Sequence, residues 1–474
     1  MGRAAVFFDL DRTLLRGASG PILTAALREA GVVSDRRVPG EDLLYRAYDI
    51  VGETLPGMAL ARRAATFAAG WSADAVVEAA TEAAKVLTGR VQPFARQLMD
   101  EHRAAGRPVV LATTTPFDMV KPFADELGLD DVIATRYDRS PEGTYTGSLV
   151  GDFVWGPGKL RAVRTWADEH DVDVAASWAY SDSVYDVPLL AAVAHATAIN
   201  PDPRLRVVAA LRRWPTLHLD VPPGVPKLAG IEPFQALRPF MRPEAIPYAR
   251  FDIAGTERIP REGPAIVVAN HRSYFDTAAV GLTVARSGRS LRFLGKKEVF
   301  DAPVIGQLAR AMGGIRVERG TGASQPLDEA ARALQAGELV ALMPQGTIPR
   351  GRAFFDPVLK GRWGAAKLAA RTGAPIVPLG MWGTEKVWPR SARLPNVLAL
   401  SNPPVVRVRV GEPFNVAGDD VDEDTAAIMA AIVDLLPPEA KVHCEPTPEE
   451  LTASFPPGYK GDPDAEDTRR PGTD

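Results

Sequence analysis

The sequence predicts an α/β protein made of two successive α/β domains, and three observations carry that reading. Short apolar runs alternate with longer helical stretches over residues 4–200; the alternation resumes at 265 and continues to about 442; and a basic, proline-rich stretch lies between. The length, 474 residues, agrees, because single hydrophobic cores stop growing beyond roughly 250–300 residues. A chain that is 46% hydrophobic and 24% charged, with net charge −4, has the proportions of a globular protein. It lacks the strongly basic balance that general nucleic-acid binding requires.

The first domain is expected over residues 1–200, with strands at 5–8, 108–112 and 176–180. About 95 residues rich in Ala, Leu, Arg and Glu separate the first two strands, with helical spacing at 61–67 and 73–87. That is too long for a simple crossover, so a helical cap is expected over about 17–95. Residues 201–250 hold ten prolines, and eight Lys/Arg outnumber four Asp/Glu, which marks a basic connector. Within it Arg204, Arg206, Arg212 and Arg213 interleave with Leu205, Val207, Val208, Leu211 and Trp214. This spacing fits either an interfacial helix facing anionic headgroups, at ~1 kcal/mol per charge, or a helix packed between the domains.

A second domain is expected over 251–443, with strands at 265–269, 291–295, 339–343, 375–381 and 405–410. Residues 444–474 contain six prolines and eight acidic residues and predict a disordered acidic tail. No run reaches the ~18 apolar residues of a membrane span, and Asp9 interrupts the place where a secretory leader would continue its apolar core. The expectation is a cytoplasmic protein held peripherally at the inner face of the membrane. One cysteine, Cys444, and six scattered histidines offer no zinc spacing.

Strand one runs into Phe8-Asp9-Leu10-Asp11-Arg12-Thr13-Leu14. Two carboxylates thus stand at the carboxyl end of a strand, where open α/β sheets bind ligands. One aspartate can attack phosphorus while a second, two residues on, protonates the leaving oxygen and later activates water. Thr113 follows the second strand and Lys159 lies in Gly158-Lys159-Leu160; both suit a phosphate. Tyr180-Ser181-Asp182-Ser183-Val184-Tyr185-Asp186 then brings two more carboxylates. Asp9 and Asp182 provide the hard oxygen donors that suit Mg²⁺.

This ordered set resembles the haloacid dehalogenase superfamily of phosphatases, in its phosphoserine phosphatase-like branch, over roughly residues 4–200. The resemblance implies a Rossmann-like domain with a helical cap. It makes Asp9 the nucleophile, Asp11 the general acid/base, and Thr113 and Lys159 the phosphate binders. A Mg²⁺ ion would be held by Asp9, the Asp11 backbone carbonyl and Asp182, with Asp186 behind them. Phosphoserine phosphatases usually carry a glutamate soon after the first motif; here the run reads Arg16-Gly17-Ala18-Ser19-Gly20.

In the second domain, Asn270-His271-Arg272-Ser273-Tyr274-Phe275-Asp276 follows a strand. A carboxylate about one turn from a histidine fixes its tautomer and stabilises the imidazolium, so that the ring can activate an alcohol against a thioester. Downstream come Phe293-Leu294-Gly295-Lys296-Lys297, then Gly313-Gly314-Ile315-Arg316-Val317-Glu318-Arg319, then Met343-Pro344-Gln345-Gly346-Thr347-Ile348-Pro349-Arg350, then Ile376-Val377-Pro378-Leu379. Their order resembles the glycerol-3-phosphate and lysophosphatidate acyltransferase family over about 250–415.

That resemblance implies His271 as general base and Asp276 as its orienting partner. Arg319 and the Gly346-Thr347 turn would hold the acceptor phosphate, with Lys296 assisting. The family's third block commonly reads Pro-Glu-Gly-Thr-Arg-Ser, so Gln345 replaces the glutamate, Ile348 replaces the arginine, and Arg350 is the candidate substitute two places on. Acyl-CoA or an acyl carrier protein thioester would be the co-substrate. The joint expectation is a bifunctional phospholipid-synthesis enzyme: acyl transfer to 1-acylglycerol 3-phosphate, fused to a Mg²⁺-dependent phosphomonoester hydrolase. Two alternatives stay open for the fusion, a phosphatase of a soluble metabolite such as phosphoserine and a catalytically silent regulatory module.

Overall fold

A computed structural model describes residues 2–33, 53–222, 225–227, 230–301, 303, 305–317 and 325–459. The chain divides into two compact units, residues 1–223 and 224–474, each built on its own seven-stranded sheet.

The first sheet contains β1 (Val6–Phe8), β2 (Val109–Pro116), β3 (Asp131–Arg139), β4 (Tyr145–Val150), β5 (Trp178–Ser181), β6 (His195–Ile199) and β7 (Thr216–Leu217), in the order β4-β3-β2-β1-β5-β6-β7. Its pairs are parallel except β3 with β4. The centre is β1, fully buried, because both faces of a parallel sheet are covered by helices. One face packs Phe7, Val110, Ala112 and Ala179 against Val163, Trp166 and Ala167 of the helix Pro157–Glu169.

The helices Gly20–Glu29, Leu55–Phe67 and Ala73–Thr88 occupy the expected cap segment. Thr54 and Ser72 start the latter two by accepting the N–H of Gly57 and Ala75, each at 3.3 Å. Leu27, Ala65, Ala68, Val76 and Ala79 bury a small cluster with Tyr137 and Tyr145. The hairpin β3–β4 therefore braces the cap.

The expected connector over 201–250 does not exist as one element. Asp202 accepts the N–H groups of Arg204 and Leu205, both at 2.8 Å, and starts the helix Pro203–Arg212. Leu205 and Ala209 enter the first core, Trp214 packs on it, and β7 extends the first sheet. Of the apolar residues read as a lipid-facing stripe, Leu205 is core, Val208 and Trp214 are half-buried, and Val207 and Leu211 are exposed. Proline in the first helical turn, where its missing N–H has no partner to lose, started this helix rather than breaking the chain. The unit boundary falls at 223/224, and Phe234 of the helix Pro233–Leu237 already belongs to the second core.

The second sheet contains β8 (Arg250–Ala254), β9 (Ala265–Ala269), β10 (Leu291–Lys296), β11 (Ile315–Val317), β12 (Leu339–Leu342), β13 (Ile376–Trp382) and β14 (Val405–Val410), in the order β11-β10-β12-β9-β13-β14-β8. Only β13 with β14 is antiparallel. Alternation along β9 splits the core: Ala265, Val267 and Ala269 meet Ala279, Val280 and Val284 of the helix Asp276–Ala285. Ile266 and Val268 face Ala365, Leu368 and Ala369 of Gly364–Thr372 and Ile428 and Ile432 of Val421–Asp434.

The tail is ordered further than its composition predicts. Thr447 and Glu450 form a capping box on the helix Pro448–Ala453, and buried Ser454 accepts the Gly351 N–H at 2.9 Å. Residues 460–474 lie outside the described residues.

Candidate active sites

The first site forms where β1, β2 and β5 end together. Phe8 is in register with Leu111 and with Tyr180, and the Asp9 N–H donates to the Tyr180 carbonyl at 3.0 Å, placing Asp9 beside the Ser181-Asp182 turn. After Phe8 the chain makes an irregular turn over Leu10–Leu14, with Arg12 at φ 58°. Buried Lys159 donates to Asp9 Oδ1 at 2.8 Å and to Asp186 Oδ2 at 2.7 Å, and Ser181 Oγ also donates to that Asp186 oxygen at 2.6 Å. Glycine at 158 permits this arrangement: a Cβ there would stand 2.3 Å from the Phe153 carbonyl oxygen.

Asp182 meets Arg12 Nε at 3.3 Å and accepts from Thr13 Oγ1 at 3.4 Å. Asp11 lies one turn away and accepts the Ser19 N–H at 2.7 Å. Thr113 is buried on β2 at the same edge, where its hydroxyl accepts the Thr115 N–H at 3.2 Å. The structure therefore gathers Asp9, Lys159, Asp182 and Asp186 in direct or neighbouring contact, with Asp11 and Thr113 at the rim.

Sequence reading missed Glu53. Its Oε2 accepts from Ser183 Oγ at 2.6 Å and from Trp155 Nε1 at 3.0 Å, while Arg204 donates to its carbonyl at 2.7 Å. A glutamate thus reaches this site from the middle of the cap segment rather than from 16–20. Its one local signal is position, immediately before the capping Thr54.

Charge balance is strained here. Burial pushes the Asp9 carboxyl up to about 7, with Lys159 opposing and Asp186 and Glu53 adding to the rise. Burial, then Asp9, raises Asp182 well above the usual carboxylate range, and burial, then Asp186, raises Glu53. Lys159 is raised by the surrounding Asp186, Asp9 and Glu53, which outweigh its burial. Four carboxylates, Asp9, Asp182, Asp186 and Glu53, meet two cations, Lys159 and Arg12, and Asp186 Oδ1 is buried without a hydrogen-bond partner.

The residues fit a hard cation on the donor chemistry of Asp9 and Asp182. Among the described residues no three His, Cys, Asp or Glu side chains converge on a metal position.

In the second unit β9 delivers His271 at its carboxyl end. Asn270 anchors the turn, exchanging two hydrogen bonds with Met381 of β13 at 2.8 and 2.7 Å. His271 Nδ1 lies 2.7 Å from Asp276 Oδ2, which also accepts the N–H groups of Arg272 at 2.6 Å and Ser273 at 2.8 Å. An oxygen with three such neighbours is an acceptor, so the ring proton sits on Nδ1 and Nε2 is the unprotonated nitrogen. Asp276 is fully buried and its Oδ1 has no hydrogen-bond partner.

Gln345 lies on the protein side of this turn. Its Oε1 accepts the His271 N–H at 2.6 Å, the bond a glutamate would make, so the side chain positions His271. Gly346 takes φ 70°, and a Cβ there would stand 2.7 Å from Arg362 Nε. Thr347 follows in the same turn. Ile348 is buried, Arg390 donates to its carbonyl and, at 3.0 Å, to that of Pro349. Arg350 stacks its guanidinium 5.0 Å from the Tyr459 ring.

Arg390 and Arg362 are thus cations at this loop that the sequence blocks did not mark. Lys296 ends β10, its side chain outside what is described, and Arg319 lies outside the described residues. Arg272 lies between the rings of Trp382 and Phe354, 4.0 and 4.3 Å from their centroids, and pairs with Glu385 at 3.3 Å.

Two α/β units, one ending its central strand in a lysine-bridged aspartate pair and the other in a histidine–aspartate pair, define the class as a fusion of a phosphohydrolase-like and an acyltransferase-like domain. The family model for haloacid dehalogenase-like hydrolases matches residues 6–191 and the acyltransferase model matches 250–382; the chain belongs to the haloacid dehalogenase-like hydrolases, phosphoserine phosphatase-like, and carries an acyltransferase domain after it.

The chain is 33% identical over 227 residues to the inhibition of morphological differentiation protein of Streptomyces azureus, covering 46% of this chain and 80% of that one. It is 36% identical over 214 residues to the phosphoserine phosphatase SerB1 of Mycobacterium tuberculosis, covering 44% and 69%. Among solved structures it is similar to the 1-acyl-sn-glycerophosphate acyltransferase PlsC of Thermotoga maritima, at 21% identity and TM-score 0.33, covering 43% of this chain and 79% of that one.

Proposed function

We propose that the chain is a bifunctional enzyme of phospholipid synthesis. Its second unit transfers an acyl group from acyl-CoA or an acyl carrier protein to 1-acylglycerol 3-phosphate or a related lysophospholipid, forming phosphatidate. Its first unit hydrolyses a phosphomonoester. The observation that carries the acyl transfer is Asp276, fully buried and accepting from His271. His271 Nε2 takes the proton of the acceptor hydroxyl as that oxygen attacks the thioester carbonyl; the C–S bond breaks, and the imidazolium returns the proton to the thiolate. Asp276 holds the ring and stabilises its charged form. The Gly346-Thr347 turn with Arg350, Lys296 and Arg319 is assigned to the acceptor phosphate.

In the first unit Asp9 attacks phosphorus and Asp11 protonates the leaving oxygen, then takes a proton from the water that cleaves the aspartyl phosphate. Lys159 and Thr113 hold the phosphoryl oxygens. Asp9, Asp182 and the Asp11 carbonyl would hold Mg²⁺, with Asp186 bracing Lys159; the ion supplies charge neutralisation at the phosphoryl group. Glu53 favours a second reading of this unit's substrate: a half-buried carboxylate whose charge acts on Asp9 suits a small phosphomonoester carrying an ammonium group, phosphoserine among them. The acceptor lipids place the enzyme at a membrane surface, on the cytoplasmic side, and no helix among the described residues is long and apolar enough to cross it.

The test follows phosphate release from phosphoserine and from lysophosphatidate, and transfer of labelled acyl groups from acyl-CoA to 1-acylglycerol 3-phosphate, by the full chain with Mg²⁺. Acyl transfer together with phosphate release from either substrate supports the proposal. Absence of one activity on every substrate makes that unit a silent module.

A further inference from the structure

We propose that the loop between β13 and β14, residues 391–400, is a docking surface for an anionic lipid bilayer, set beside the His271 site. The inference rests on the lipid-acceptor reading above and names the surface that would serve it.

Leu394, Val397, Leu398 and Leu400 are 76, 49, 84 and 59% exposed, four large apolar side chains within seven residues. Single exposed hydrophobics are ordinary; a cluster at a loop tip is not. The base of the loop is fixed rather than loose. Trp388 Nε1 donates to the Ala392 carbonyl at 3.0 Å and the Asn396 N–H to the Val387 carbonyl at 3.0 Å.

Charge selects the partner. Residues 386–411 contain Lys386, Arg390, Arg393, Arg407 and Arg409 and no aspartate or glutamate. Arg407 is engaged with Glu439, Arg409 with Asp252, and Arg390 with the Ile348 and Pro349 carbonyls. Lys386 faces Glu439 as well, whereas Arg393 is exposed next to Leu394. Exposed apolar side chains with Arg393 among them, on a loop that itself carries no aspartate or glutamate, match an anionic headgroup layer over hydrocarbon.

The loop is continuous with the catalytic turn. The Trp388 carbonyl accepts from Ser273 Oγ at 2.6 Å, and half-exposed Tyr274 has its ring 5.6 Å from that of Trp388. Ser273 and Tyr274 lie between His271 and Asp276, so a bilayer seated on the loop meets the same turn that carries the base. The helix Pro203–Arg212 is the rival surface: Val207 and Leu211 are 59 and 80% exposed one turn apart, although Leu205 and Ala209 are core of the first unit.

The experiment is flotation of the full chain with vesicles of phosphatidylcholine alone and of phosphatidylcholine mixed with phosphatidylglycerol. Wild type, His271→Ala and Leu211→Asp are expected to float with the mixed vesicles. Leu394→Asp combined with Leu398→Asp is expected to cut the bound fraction by about tenfold or more at an unchanged melting temperature, and Arg393→Glu to weaken it on mixed vesicles only. The double variant should keep acyl transfer to a dispersed short-chain acceptor and lose it on vesicle-embedded acceptor. Equal flotation of wild type and the double variant overturns the proposal, as does wild type that self-associates through these leucines and does not float. Leucine-dependent flotation without acyl transfer by any variant leaves the docking surface standing and removes the acyltransferase reading instead.

Discussion

Gln345 accepts the backbone N–H of His271 through its side-chain carbonyl at 2.6 Å, tying the third block of the second unit to the His271 turn. A glutamate offers the same acceptor, so the departure from the family's block changes charge and keeps the bond. Gln345→Glu is therefore expected to retain acyl transfer within about threefold. Gln345→Leu leaves a largely buried N–H unpaired, a loss of about 1–3 kcal/mol, and should lower kcat/KM by roughly tenfold or more with a lower melting temperature. Steady-state kinetics on the two variants checks this; a Glu variant as poor as the Leu variant would contradict it.

Asp276→Asn should reduce kcat for acyl transfer by about 10²–10⁴ with little change in KM, since the amide cannot stabilise the imidazolium. Phosphate release by the same protein should be unaltered. A parallel fall in both activities would mean that the variant has unfolded the chain rather than disabled one ring.

Lys159 neutralises Asp9 and Asp186 from a position 1% exposed. Replacing it with methionine leaves those carboxylates buried and uncompensated, which should abolish phosphate release and destabilise the first unit by about 3–5 kcal/mol in denaturant unfolding. Adding Asp186→Asn should recover part of that stability and none of the activity. Failure of the second change to restore stability would show that the ion pairs do not dominate.

His102 supplies a pH dependence from behind the first site, through Tyr180. Arg107 Nε donates to its Nδ1 at 3.0 Å, so the proton sits on Nε2, which donates to the Tyr180 hydroxyl at 2.8 Å. Burial, then the charges of Arg107 and His195, lower its pKa to about 4. An unfolded histidine titrates near 6.5. The stabilisation is present above that value, and as pH falls toward 4 the unfolded chain gains a proton that the folded one does not, at up to ~1.4 kcal/mol per pH unit. In urea, the stability gap between wild type and His102→Gln should shrink from pH 7.5 to pH 4.5; a constant gap would contradict the assignment.

The legible parts of the molecule were those with local signatures. The strands carrying Asp9 and His271 are buried on both faces and read as unbroken apolar runs. Their motifs follow at fixed spacing. The two-residue β7 and the exposed edge strand β8 have little buried surface to imprint a pattern. The stretch 201–223 was misread because prolines at helix starts resemble those of a linker until burial of Leu205 and Ala209 is known.

Long-range assembly was beyond reach for a different reason. Glu53 joins Ser183 across 130 positions and Arg390 reaches the Ile348 carbonyl across 42, and neither pairing leaves a local trace.

The central claim is that two separate chemistries reside in one chain, and Asp9→Asn and His271→Ala test it most directly when each purified full-length variant is assayed for both phosphate release and acyl transfer. The account predicts that Asp9→Asn loses phosphate release and keeps acyl transfer, and that His271→Ala does the reverse. Loss of both activities in either properly folded variant, or survival of either activity after its own residue is replaced, would contradict it.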